Sequence, residues 1–173
     1  MIKLRYGIVW AVVLVILLVM NGLIYGKELL LTNGQVVFLD LAPRDPRSLI
    51  QGDYMALNYA ITRNVSGPLW FDEDAYLALK LDSAYIAIAA RPATLQTVLA
   101  PDEVLIAYRM RGGNLYLGAE SFFFQEGQAS AYTGARYAEL RVGSAGESVL
   151  VGLRGPQLEA LAPVSNVLPW WER

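Results

Sequence analysis

Twenty consecutive uncharged residues, Gly7 to Gly26 (GIVWAVVLVILLVMNGLIYG), stand near the start of a chain whose remainder mixes charged and apolar residues as a water-soluble domain does. As a helix rising about 1.5 Å per residue, the block is roughly 30 Å long, the thickness of a bilayer's hydrocarbon core. It can cross a membrane once. A cleaved secretory signal carries a shorter apolar core of about 7 to 15 residues and ends in a small-x-small cleavage site. Here the run from Ile8 to Met20 continues through Leu23 to Tyr25 and meets Gly26-Lys27-Glu28, with no A-x-A site after it. The block therefore reads as an uncleaved transmembrane anchor. Lys3 and Arg5 make the leading segment positive, which holds it in the cytoplasm and sends the chain beyond the block across the membrane. Trp10 and Tyr25 fall near the two ends of the span, where amphipathic rings prefer the interface. The expected organisation is a cytoplasmic segment at 1–6, a span at 7–26 in contact with the lipid bilayer, and an extracytoplasmic domain at 27–173.

That domain is long enough for one real core and short for two. Apart from Lys3 and Arg5, 12 basic residues stand against all 16 acidic ones, a net charge of −4. Nucleic acid demands a basic face and is disfavoured as a partner, as is electrostatic docking on anionic lipid. The chain has neither Cys nor His. Disulfides and thiol chemistry are therefore excluded, and with them the Ser-His-Asp triad and nearly all zinc sites. No cofactor is expected.

Period-two alternation between Gly, Asn, Asp and Pro punctuation dominates the rest and predicts strands. These are Val36 to Leu41, Asp53 to Ile61, Tyr76 to Leu81, Ala84 to Arg91, Val104 to Met110, Asn114 to Leu117, Phe122 to Gln125, Tyr137 to Val142 and Ser148 to Leu153. Lys27 to Leu31 either prolongs the helix to a stop at Asn33-Gly34, the preferred reading, or forms a hairpin arm around that pair. Asp45-Pro46 opens one helical turn, and Gln157 to Leu161 forms a second short helix. In the strand beginning at Asp53, Leu57 and Tyr59 point to the buried face and Tyr54 to the opposite one. The fold class expected is an all-β sandwich or open barrel of about eight short strands, preceded by one N-terminal transmembrane helix.

The stretch from Pro43 to Tyr59, PRDPRSLIQGDYMALNY, contains GDYMALNY. It resembles the motif of the GDYXXLXY protein family at all five fixed positions, Gly52, Asp53, Tyr54, Leu57 and Tyr59. The preceding Asp-Pro-Arg and the later run from Tyr116 to Gly127, YLGAESFFFQEG, are similar to family segments too. The resemblance implies a protein anchored in the bacterial cytoplasmic membrane and partnered with a polytopic membrane protein, and it assigns no reaction.

The candidate binding residues are Arg47, Asp53, Tyr54, Glu120 and Glu126. Arg47 and Asp53 are close enough in sequence for a turn to pair guanidinium with carboxylate, either as a structural clamp, the preferred reading, or as a recognition site for a partner's backbone or carboxylate. Asp53, Glu120 and Glu126 together would make a cation or acid/base site if the sheet joined them, although solvated or Arg-paired carboxylates are the simpler account. Asp72-Glu73-Asp74 lacks the Gly-spaced pattern of a calcium loop and reads as a solvated turn. The functional expectation is a membrane-anchored binding or assembly module. The alternative is a hydrolase using Asp53, Glu120, or a Ser-Lys pair drawn from Lys80 with Ser48 or Ser66. Asn64-Val65-Ser66 matches a glycosylation acceptor that matters only in a eukaryotic secretory pathway. Trp170 and Trp171 are expected to pack on the parent domain.

Overall fold

The computed structural model describes residues 2–42, 54–67, 75–125 and 128–161, with the backbone alone for 2–5 and 7–9. Helix α1 runs from Ile2 to Asn33. Of its residues, Trp10–Asn33 form a stretch long and apolar enough to cross a membrane, exposed along its length except at Leu30. The helix therefore outruns the 20-residue block by two further turns, as the preferred reading of Lys27 to Leu31 required. Its end is tied into the domain. Leu30 is buried, the Gly34 amide donates to the Leu30 carbonyl at 2.8 Å, and Arg141 Nη1 donates to the Gly34 carbonyl at 3.2 Å. A guanidinium at this point also complements the negative end of the helix dipole. Gly34 is required here, because a Cβ would run into the Leu30 carbonyl oxygen and crowd the Cβ of Arg141.

Ten strands follow among the described residues: β1 Gln35–Asp40, β2 Tyr54–Ala56, β3 Tyr76–Leu81, β4 Ala87–Ala93, β5 Glu103–Ala107, β6 Arg109–Arg111, β7 Asn114–Tyr116, β8 Ser121–Phe123, β9 Tyr137–Val142 and β10 Ser148–Arg154. All strand pairings are antiparallel, in two three-stranded sheets, β1-β9-β10 and β4-β3-β5, and two ribbons, β2-β8 and β6-β7. The domain is mostly β, as the alternation predicted. The inward residues of the two larger sheets meet in one core: Val37, Leu39, Leu140 and Val142 from the first, Leu77, Leu79, Val104 and Ile106 from the second. The sheets are also stitched at their margins, where the Phe38 amide donates to the Tyr85 carbonyl and the Ala107 amide to that of Gly146.

Three expectations about elements need correction. The strand expected from Asp53 to Ile61 ends at Ala56. Beyond it Tyr59 makes only an isolated bridge to Leu41, and Ala60–Arg63 close into a 3-10 turn. The facing survives nonetheless, with Leu57, Tyr59 and Ile61 buried and Tyr54 exposed. The strand expected from Val104 to Met110 is two strands. It breaks at buried Tyr108, so that β5 pairs with β3 while β6 turns back through Gly112-Gly113 to pair with β7. Both glycines have positive φ, 56° and 80°, as a two-residue hairpin turn needs. Finally, Gln157 to Leu161 form no helix. Gly155 and Glu159 close a turn, with Leu158 at φ 62°, and Ala160 bridges back to Arg154. The expected helical turn at Asp45-Pro46, the Asp72-Glu73-Asp74 cluster and Trp170-Trp171 lie outside the described residues.

Candidate functional site: a groove beside the Tyr54 strand

Strand β2 pairs with β8, so that Tyr54 faces Phe123, Met55 faces Phe122 and Ala56 faces Ser121. Two segments 67 positions apart in the chain, both family-like by sequence, thus form one ribbon. Alternation divides the three phenylalanines of β8 and its exit. Phe122 and Phe124 turn inward against Tyr132, at centroid distances of 5.0 and 5.4 Å, the first of them edge-on. Phe123 turns outward beside Tyr54, 5.8 Å between ring centroids, and the two rings are 74% and 42% exposed.

Next to this pair lies a groove of about 620 Å³. One side is lined by Tyr54 and the segment from Ala56 to Arg63, the other by the β6–β7 hairpin through Met110, Asn114 and Tyr116, and Leu117, Glu120 and Ser121 complete it. The motif residues Leu57 and Tyr59 are each 3% exposed and serve as its floor. Tyr59 anchors that floor by donating its phenol hydrogen to the Ala119 carbonyl. Burial, and secondarily the negative charge of Glu120, push the phenol pKa up, so the hydroxyl remains a donor at any ordinary pH. Glu120 itself holds the turn above the groove. Its Oε1 accepts from the Gly118 amide at 2.8 Å, where φ is +88°, and its backbone carbonyl accepts from the Leu57 amide at 2.7 Å.

Of the five candidate residues, the structure brings Tyr54 and Glu120 to the same groove. Arg47, Asp53 and Glu126 lie outside the described residues, so the clamp and the three-carboxylate site are not described either. Among the described residues no three Asp or Glu side chains gather where a metal ion would sit. Lys80, the base of the Ser-Lys alternative, lies on the outer face of β3 in an exposed ion pair with Asp102 at 3.5 Å. Ser48 is not among the described residues, and the Ser66 amide donates to the Ala90 carbonyl. Sequence reasoning missed Arg63, Asn58, Met110, Asn114 and Tyr116 as groove residues. The Gly112-Gly113 signal locates the hairpin of Met110, Asn114 and Tyr116, but no local pattern shows that it borders the same groove as Tyr54, Asn58 and Arg63.

No curated protein and no solved structure gives a match to this chain. The family model described as GDYXXLXY protein matches residues 16–153, from within α1 to the end of β10. That range takes in the groove, its tyrosine floor and the second half of the helix that carries the domain, and the chain belongs to the GDYXXLXY protein family.

Proposed function

We propose that this protein is a single-pass anchored module of the bacterial cytoplasmic membrane, with its N-terminus inside. Its β domain is on the outer side and acts as the binding or assembly subunit of a membrane-protein complex. The observation that carries the binding role is the outward Tyr54–Phe123 pair beside the groove, built from the two family-like segments. Large rings held in place by sheet pairing offer contact area at little cost in conformational entropy, which is why aromatics dominate interface hot spots. The groove's chemistry suits an extended peptide: Tyr116, Met110 and Leu115 offer apolar contact, and the Asn58 and Asn114 amides offer donors and acceptors to a backbone. The partner that fits is an extracytoplasmic loop of a polytopic protein in the same membrane.

Permanent anchoring is supported by the way α1 ends. A cleaved signal leaves its domain behind, whereas here Leu30 and the Gly34–Arg141 contact make the last helical turn part of the domain's packing. The positive residues Lys3 and Arg5 support the inward N-terminus.

The test is a mild-detergent pull-down from native membranes with mass spectrometry, comparing the wild type with Tyr54→Ala/Phe123→Ala. Both side chains lie at the surface, so the double variant should fold and reach the membrane at wild-type level while its polytopic partner is lost. Undiminished recovery of that partner would refute the groove's role. A reporter that works only after export, fused after Arg173, should be active. Activity of a cytoplasm-only reporter at that site would overturn the topology.

A further inference from the structure

We infer that the loop from Thr94 to Pro101 rests on the bilayer that α1 crosses, inserting Leu95 and Val98 into its interface, so that the domain leans on the membrane in one fixed pose. The inference deepens the anchor reading and depends on it.

Four observations place this loop at the membrane surface. The first is the connection. Gly26 ends the uncharged block, and only seven helical residues, about 10 Å of rise, separate it from Gly34. Leu30 is buried in the domain and Arg141 donates to the Gly34 carbonyl, so that short stem is packed against the domain and the face beside it lies within about 10 Å of where the apolar block ends.

The second is position. A recess of about 560 Å³ lies between the helix stem and the domain, and Gly26 and Leu29 line it together with Leu99, Glu103 and Gly143. One residue of the loop, Leu99, thus borders the same recess as Gly26, where the apolar block ends.

The third is composition. From Pro92 to Pro101 the chain has ten residues without a charge. Leu99 turns inward against Ala78, Ala93 and Leu105, whereas Leu95 and Val98 turn out, 52% and 89% exposed. Leu29 and Leu31 of the stem are exposed as well, so apolar side chains stand in the open on both the loop and the stem.

The fourth is rigidity. The Thr94 amide donates to Thr97 Oγ1 at 2.8 Å and the Thr97 amide to the Thr94 carbonyl at 3.0 Å, closing the tip. The Ala100 amide donates to Glu103 Oε2 at 3.0 Å, and Arg91 grips the same carboxylate, closing the base. Side chains presented on a frame already ordered lose little entropy on insertion.

An apolar patch of this kind sinks roughly 5–10 Å into the boundary between headgroups and acyl chains. The flanking charges are balanced in pairs, Arg91 with Glu103 and Lys80 with Asp102, while Lys27 stands next to Glu28 on the stem and Glu147 lines the recess. Contact should therefore be driven by apolar burial and be indifferent to anionic lipid and to salt.

The absence of cysteine makes single-site labelling clean. The full chain carrying Val98→Cys with an environment-sensitive fluorophore is reconstituted into phosphatidylcholine vesicles containing lipids with a nitroxide close to the headgroup. Leu18→Cys, in mid-span, serves as a label for the anchor. Gln157→Cys, past the far end of β10 from the helix, serves as a label for the solvent side. The Val98 label should be blue-shifted relative to the Gln157 label and lose intensity with the shallow quencher. The Leu18 label should respond to a nitroxide deep in the acyl chains, and the Gln157 label to neither. Replacing part of the lipid with phosphatidylserine should leave the Val98 signal unchanged. A quenched Leu18 label with an unquenched Val98 label would overturn the inference alone and leave this surface to a protein partner. An unquenched Leu18 label would overturn the anchor reading as well, and quenching at Val98 only in anionic vesicles would refute the apolar mechanism.

Discussion

Removing the cation from the ion pair on the outer face of β9 should cost far more than removing the anion. Glu139 is 4% exposed, and it is the one charged residue buried among those described. It accepts from Arg154 Nε at 2.7 Å and again from Arg154 Nη2, with Arg141 Nη2 at 4.0 Å. The two arginine side chains, in contrast, keep 27% and 29% of their surface in water. Glu139→Met therefore orphans guanidiniums that can swing out and rehydrate, and the loss should be about 1 kcal/mol, near the value of a half-exposed pair. Arg154→Met instead leaves a carboxylate that has almost no access to solvent with only Arg141, at 4.0 Å, beside it, which places the loss at about 3 kcal/mol, the lower end for a broken buried pair. In the double variant both charges are gone and two apolar side chains of similar volume meet. Its stability should return to within about 1 kcal/mol of wild type, a coupling of about 3 kcal/mol. Urea titration of the full chain in detergent micelles, followed by circular dichroism of the β domain, measures all four corners of the cycle. Equal losses in the two single variants, or additive losses in the double one, would refute the reasoning.

Two further predictions concern stability. Leu57→Ala removes a floor residue that is 3% exposed, and it should lower stability by about 2–5 kcal/mol in the same assay; an unchanged midpoint would mean that this side chain does not support the core. The pair of hydrogen bonds from Arg91 to Glu103, with a third from the Ala100 amide, holds that carboxyl at about 2 against an ordinary 4.5. The shift is a depression, so its stabilisation is complete above the unfolded value near 4.5 and is lost as pH falls from there through about 2. Full shielding would make it about 3 kcal/mol, but Arg91 is 42% exposed, and screening leaves about 1 kcal/mol. Glu103→Gln should accordingly lose less stability than wild type between about pH 5 and pH 2.5. Parallel pH profiles for the two proteins would show that the pair contributes nothing.

What could be read from the sequence is whatever a short stretch of chain imposes on itself. The apolar block Gly7–Gly26, the faces of Leu57 and Tyr59, the turn at Gly112-Gly113 and the extent of β3 and β9 all follow from local periodicity and backbone freedom. The structure left these in place even where the strand around Leu57 broke off. Local pattern was insufficient wherever a residue's role depends on which distant segment lies beside it. The alternation through Val104 to Met110 is continuous, and only the competing claims of β3 and β7 for hydrogen-bond partners split it at Tyr108. Tyr54 reads as an outward residue from its place in the strand, but that it stands beside Phe123 is a matter of pairing between β2 and β8. Likewise nothing in the strand Tyr137 to Val142 itself marks Glu139 as buried, and it is buried because Arg154, brought across from β10 by register, closes over it. A side chain's face is set by the two-residue period of its own strand, whereas its neighbours are set by sheet register and packing, which no single segment encodes.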